Sequence, residues 1–204
     1  ADEDVDSFAI ASGATAVVSG EGATLVAGEM TVDGTLNVTE KGAITVDELT
    51  VRGTLNIASE DKENDVAAGS ASINTLFVGI AKETDKEGIN YFGDASAAAV
   101  TADEIKNLAN IYVSAESTIA GDLTENMNTT QFFVEDALWM TIFTVDDDMA
   151  IDNSIQPGDL INSEFSYWTD ADGNKIETSS KVYVGDVGYE TVYAKLNYNI
   201  YHIQ

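Results

Sequence analysis

Apolar and polar residues alternate in short runs through the first quarter of the chain, and each run opens on a glycine. The runs are Gly13-Ala-Thr-Ala-Val17, Gly22-Ala-Thr-Leu-Val26, Gly34-Thr-Leu-Asn-Val38, Gly42-Ala-Ile-Thr-Val46 and Gly53-Thr-Leu-Asn-Ile57. A period of two predicts strands with one buried face, and the glycines predict the corners between them, where positive φ carries no Cβ clash. Alternate glycines recur every 19 to 21 residues. The pattern is sharpest where Thr31-Val-Asp-Gly-Thr-Leu-Asn-Val38 returns 19 residues later as Thr50-Val-Arg-Gly-Thr-Leu-Asn-Ile57. A fixed short period predicts a repeat architecture whose units stack to share a core. Two corner-and-strand units per coil, ~20 residues in all, predict an all-β fold with an N-terminal β-solenoid, β-helix-like. Small Ala, Thr and Val suit the interior of a narrow coil. An antiparallel sandwich of short hairpins is the alternative.

Residues 59–69 are polar and aperiodic, and 79–93 form a second, larger loop or hairpin; both are expected to be loop insertions from the coil. Val100-Thr-Ala-Asp-Glu-Ile105 echoes Ile44-Thr-Val-Asp-Glu-Leu49, and Ile111-Tyr-Val-Ser114 echoes Leu55-Asn-Ile-Ala58, both at an offset of 56. The echo extends the predicted solenoid domain over residues 1–124, although Ala102 to Leu108 also has the spacing of an amphipathic helical turn. Beyond Leu123 the composition changes. Both tryptophans (Trp139, Trp168), the single proline (Pro157) and most tyrosines follow, and aromatic residues fit a compact core better than a slim coil. Residues 125–204 are therefore expected to form a small β-rich module, with strands at Gln131–Val134, Leu138–Val145, Phe165–Thr169, Lys181–Val184 and Thr191–Ile203. The last alternates cleanly for 13 residues, about twice the usual strand length. It either crosses the whole subunit or offers its end, with Leu196, Tyr198, Ile200, Tyr201 and Ile203, to a neighbouring subunit by strand augmentation.

Phe165-Ser-Tyr-Trp168-Thr-Asp-Ala-Asp-Gly173-Asn-Lys-Ile, Lys181-Val-Tyr-Val184 and Thr191-Val-Tyr-Ala-Lys-Leu196 together resemble the internalin B-repeat family, the Listeria–Bacteroides repeat of surface proteins. Trp168, Gly173, Tyr193 and Ala194 match the pattern of that family, whereas Leu196 stands where an aromatic residue is expected. The resemblance covers about Met140 to Leu196. It implies a small β module of extracellular, often multi-module surface proteins, and it brings no catalytic residues with it.

Charge narrows the partners. With 36 acidic and 9 basic residues the chain carries −27, yet 44% hydrophobic residues are enough for a core. Such a surface repels phosphates and anionic headgroups, so neither nucleic acid nor membrane insertion is expected, and no run reaches the ~18 apolar residues of a spanning helix. The absence of cysteine and the single histidine, His202, exclude disulfides, thiolate zinc sites and two-histidine chemistry. The chain opens Ala-Asp-Glu-Asp rather than on Met, as a secreted protein does after signal removal. Asn37-Val-Thr39 and Asn128-Thr-Thr130 are glycosylation sequons, making Asn37 and Asn128 candidate acceptors.

Asp146, Asp147, Asp148 and Asp152 form the densest carboxylate group and the candidate metal site, with Ca²⁺ as the ion such hard oxygen ligands take. Adjacent side chains of an extended segment point to opposite faces, so a solvated acidic turn is the competing reading. Asp170-Ala-Asp-Gly173-Asn has its Gly at position 4 and Lys181 at position 12, which fails the EF-hand pattern. No nucleophile elbow or phosphate loop occurs, and one Arg and one His are a poor supply for a polysaccharide-cleaving groove, so no enzyme is expected. The sequence points to an extracellular, cell-surface structural protein that assembles with itself into a filament, sheath or surface layer. The alternative is an adhesin that presents the coil's flank to surface glycans or protein.

Overall fold

The computed structural model describes residues 3–61, 67–84, 88, 90–93, 95–120, 123–146, 155–158, 160–177 and 189–198. These residues form strands and no helix, so the chain is all-β. In chain order the strands are β1 (Glu3–Ile10), β2 (Thr15–Ser19), β3 (Thr24–Val32), β4 (Thr35–Thr39), β5 (Ala43–Val51), β6 (Thr54–Ile57), β7 (Ser70–Val78), β8 (Lys82–Thr84), β9 (Asn90–Phe92), β10 (Ala99–Thr101), β11 (Asn110–Ser114), β12 (Thr118–Ala120), β13 (Asn128–Val134), β14 (Ala137–Thr144), β15 (Ser163–Thr169) and β16 (Tyr189–Tyr198).

Through β12, apart from the antiparallel β8–β9 hairpin, the chain alternates between two sheets, so every second strand pairs in parallel with the one before it in its sheet. A five-stranded sheet runs β12-β10-β6-β4-β2, and the parallel part of a nine-stranded sheet runs β1-β3-β5-β7-β11. The doubled sequence stacks on itself: Thr31 pairs with Thr50, Leu36 with Leu55, Asn37 with Asn56 and Val38 with Ile57. Inward residues of both sheets, among them Val32, Leu36, Leu49, Leu55, Ile73, Val100 and Ile111, form one aliphatic core. Equivalent side chains meet at the repeat distance outside the core too. Asn56 Nδ2 donates to Asn37 Oδ1 at 2.9 Å and Arg52 Nε to Asp33 Oδ1 at 2.7 Å, each across 19 residues.

The corners are closer than positive φ alone would require. Thr35 N–H donates to Ala14 O, Thr54 N–H to Gly34 O and Ala99 N–H to Gly53 O, at 2.8, 2.8 and 3.0 Å. A Cβ at Gly53 would overlap Gly34 O and stand 2.6 Å from Asp33 O; one at Gly34 would overlap Ala14 O and stand 2.5 Å from Ala11 O. These glycines serve backbone approach between coils, whereas Gly13 and Gly22, at φ +77° and +79°, serve the left-handed turn. The expectation of one role for all corner glycines is corrected accordingly.

The echo stacks differently from the offset of 56. Val100 pairs with Leu55 and Ile111 with Leu76, so the extra residues between these pairs are taken up at corners. Ala102 to Leu108 holds no helical turn; Lys106 forms a parallel bridge with Ser72 instead. Nor does the long sheet stop at residue 124. Strand β14 pairs antiparallel with β11, Ile111 against Phe143 and Val113 against Thr141, and the sheet continues β14-β13-β16-β15. The second core lies under this part and is aromatic: Phe92, Phe132, Met140, Ile142, Trp168 and Val192, joined by Phe77 and Ile80. The stretch 79–93 forms the β8–β9 hairpin, and beyond that expectation it contributes the buried Ile80 and Phe92 to this core. The strand expected at Lys181–Val184 lies outside the described residues.

Candidate functional site

The strand singled out for assembly, β16, lies between β13 and β15. Its partnership with β13 covers Tyr189 to Tyr193 only, whereas β15 accompanies it from Tyr193 to Tyr198. Among the described residues it therefore has one strand neighbour from Ala194 onward. Leu196 is 8% exposed and belongs to the buried face with Val192, while Tyr198 is 63% exposed. Ile200, Tyr201 and Ile203 lie outside the described residues. Tyr193 stacks on Phe133 at 5.4 Å, and Trp168 and Ala194, two residues of the surface-repeat pattern, are register partners. Trp168 Nε1 donates to Ile155 O at 2.5 Å, which fixes the ring in the aromatic core. Gly173 sits at φ +83° in the turn after β15.

The four sheet edges differ in charge. On the nine-stranded sheet, β1 carries Glu3, Asp4 and Asp6 and β15 carries Glu164. On the five-stranded sheet, the edges β2 (Thr-Ala-Val-Val-Ser) and β12 (Thr-Ile-Ala) carry no charged residue. Val17 of β2 is 60% exposed. Unpaired edges invite another strand, and natural sheets commonly protect them with charge. In a chain of −27, the two uncharged edges are the permissive ones.

Next to β12 the two sheets end out of step. The long sheet has β14 beyond β11, but among the described residues no strand lies beyond β12. A cleft of about 260 Å³ lies here, walled by Val113, Ile119, Leu138, Thr141 and Phe143 and floored by a serine cluster. Ser114 Oγ and Ser117 Oγ lie 2.7 Å apart and 2.9 and 3.0 Å from Ser96 O, so one hydroxyl donates to the other while its partner donates to the carbonyl. Ser117 Oγ also accepts from Ala98 N–H at 3.1 Å. This network holds the corner between β11 and β12, so the cleft is a built feature of the coil's end.

A second concavity, about 460 Å³, lies on the coil's flank between the outer face of β3 and β5 and the β8–β9 hairpin. Glu29 and Glu48, register partners, line it with Arg52, Lys82 and Glu83. Arg52 is engaged by Asp33 and Glu83 Oε2 accepts from Tyr91 O–H at 3.0 Å. The wall's aromatic ring, Phe77, is 5% exposed and stacked on Tyr112 at 4.8 Å, so it gives a sugar no open platform.

Of the candidate metal ligands, Asp147, Asp148 and Asp152 lie outside the described residues. Asp146 is exposed; its N–H donates to Thr144 Oγ1 at 3.1 Å and its carbonyl accepts from Asn128 Nδ2 at 2.8 Å. The same bond bears on glycosylation, since Asn128 is 2% exposed and its amide nitrogen faces Asp146 rather than solvent. Asn37 is half-buried in the Asn37–Asn56 rung. Asp170 organises its own turn: Oδ1 accepts from Asp172 and Asn174 N–H at 2.9 and 2.8 Å, and Oδ2 from Asn174 Nδ2 at 3.0 Å. The Asn174 bonds, side chain first, hold its carboxyl below the ordinary aspartate range. Sequence reading missed the uncharged edges and the cleft. The uncharged Thr118-Ile-Ala120 was in view, but that it ends a sheet was not.

Compared with known proteins, the chain matches no family model, no curated protein and no solved structure.

Proposed function

We propose that the chain is an extracellular structural subunit that assembles with itself by strand augmentation, built as a β-solenoid followed by a surface-repeat-like module. The observation that carries this reading is the charge contrast of the edges: two uncharged edges on one sheet of a strongly acidic chain. The solenoid reading rests on parallel pairing of alternate strands at offsets of 19 to 20 residues, with like residues stacked as in the Asn37–Asn56 rung. Stacking of whole coils is confined to the β1/β2 end, because β14 occupies the place that a further β1 would take beside β11. At the other end, augmentation by a single strand replaces it. Calcium bridging acidic faces would lower the repulsion between subunits of −27.

Electron microscopy and light scattering of the purified protein, over a series of salt and calcium concentrations, test the proposal. Filaments or sheets are expected; discrete monomers under every condition overturn it. The resemblance of residues 140–196 to surface repeats supports a second reading, an adhesin for glycans or protein, although the flank groove gives a sugar no open aromatic platform. Binding to a glycan array by soluble monomer would favour that reading.

A further inference from the structure

The cleft beside β12 has the shape of one absent strand. Its walls are the inner residues of β11 and β14 on one side and Ile119 of β12 on the other. Its open side is the unpaired edge of β12, and the strand that fills it needs no partner beyond. Two constraints select the occupant. It cannot be the β1/β2 end of a second coil, since β2 placed beside β12 would carry its own β1 onto β14. Its inward-facing residues should be uncharged, because the cleft is lined by apolar side chains and by serine and threonine hydroxyls, with no cation to pair a carboxylate.

Among the segments of two or more residues outside the described ones, 199–204 (Asn-Ile-Tyr-His-Ile-Gln) is free of Asp and Glu. It follows β16, which from Ala194 onward has lost its neighbour β13, and it places Tyr201 and Ile203 two apart, on one face of an extended chain. We infer that residues 199–204 of a second copy add as a strand to β12 and fill this cleft, so that each subunit both donates and accepts one strand. The inference rests on the self-assembly reading above and names its interface. A head-to-tail contact of this kind does not close on itself and so generates a polymer.

The chain has no cysteine, which makes disulfide trapping unambiguous. Paired strands bring Cα atoms within the ~4.4–6.8 Å that a disulfide spans. A Thr118→Cys chain mixed with a His202→Cys chain should give the mixed dimer well above either homodimer. The Thr118→Cys/His202→Cys double variant should give a ladder of multimers on a non-reducing gel. A double variant that cross-links only within the monomer shows that the segment fills its own cleft, and overturns the inference. So does the absence of any cross-link from polymer that forms normally. Deleting residues 199–204 should abolish polymer while the near-ultraviolet signal of the tryptophans stays unchanged. A deleted chain that still polymerises overturns this interface and leaves self-assembly standing; a full-length chain that stays monomeric overturns both. Ile119→Asp, whose defect lies on the accepting side, should still cap wild-type polymer as a donor. Failure to cap would count against the inference.

Discussion

The two cores, on opposite faces of the long sheet, solve the same problem in opposite ways. The first stacks like on like: Leu36 on Leu55, Asn37 on Asn56, a carbonyl ladder at each corner, with neighbours one coil apart. The second makes each contact once. Phe132 meets Trp168 edge-on at 5.0 Å, Trp139 lies over Trp168 at 6.0 Å, and Phe77 reaches in from the coil to stack on Tyr112. Repetition spreads a defect thinly over equivalent rungs, whereas a single aromatic hub concentrates it. The lesson is that the coil should fail at its corners, where backbones touch, and the module at one ring.

The largest effect should therefore come from Trp168→Ala, which removes the hub and its bond to Ile155; a loss of about 3–5 kcal/mol is expected in urea unfolding. If the two cores melt separately, the coil's transition stays in place. A coupled shift would show that Phe77 and Ile80 tie them into one unit. Next comes Gly53→Ala, expected to cost about 3 kcal/mol, the upper part of the overpacking range. Gly13→Ala, with open space around it, should cost only about 1 kcal/mol for the left-handed φ. Equal costs at the two glycines would remove the distinction between approach and turn. Asn56→Ala should cost about 1 kcal/mol by breaking one half-buried rung. Arg52→Ala should cost less than about 1 kcal/mol, and that difference should shrink in high salt, because the Arg52–Asp33 pair is part-exposed. The smallest effect belongs to the module's turn. The depressed Asp170 carboxyl means that its hydrogen bonds stabilise the fold above the unfolded-state value and are lost as pH falls through the folded one. A carbon-detected titration should place its midpoint lower in the folded chain than in urea.

Much of the parallel-strand region was legible because its information is local. Alternation and a 19-residue repeat place Thr31 to Ile57 on itself with the observed register. What failed was threading past the insertions. Val100 shares its alternation with both Ile44 and Leu55, and nothing in a period of two distinguishes them; the corner that absorbs the extra residues decides. Likewise the change of composition after Leu123 was real, but the boundary drawn from it was not a break in the sheet, since pairing of β11 with β14 is a long-range contact. The edges proposed for assembly were invisible for the same reason: Thr118-Ile-Ala120 reads like any other strand until its neighbours are known. The register of the aromatic contacts also depends on Ile80 and Phe92, which the polar surroundings of 79–93 disguised.

The offsets between paired strands carry a message about time. Pairing β3 with β5 and β4 with β6 closes 19 residues, β5 with β7 closes 27, β7 with β11 closes 35 and β6 with β10 closes 45. Closing 45 residues rather than 19 costs only about 0.8 kcal/mol more in chain entropy, but short separations are sampled first. The doubled stretch holds the shortest of these closures, and each later strand covers the edge left by the one before. Strand β14, arriving against β11 from the opposite direction, is the stitch that ends this sequence on one sheet, and among the described residues no strand does the same beside β12.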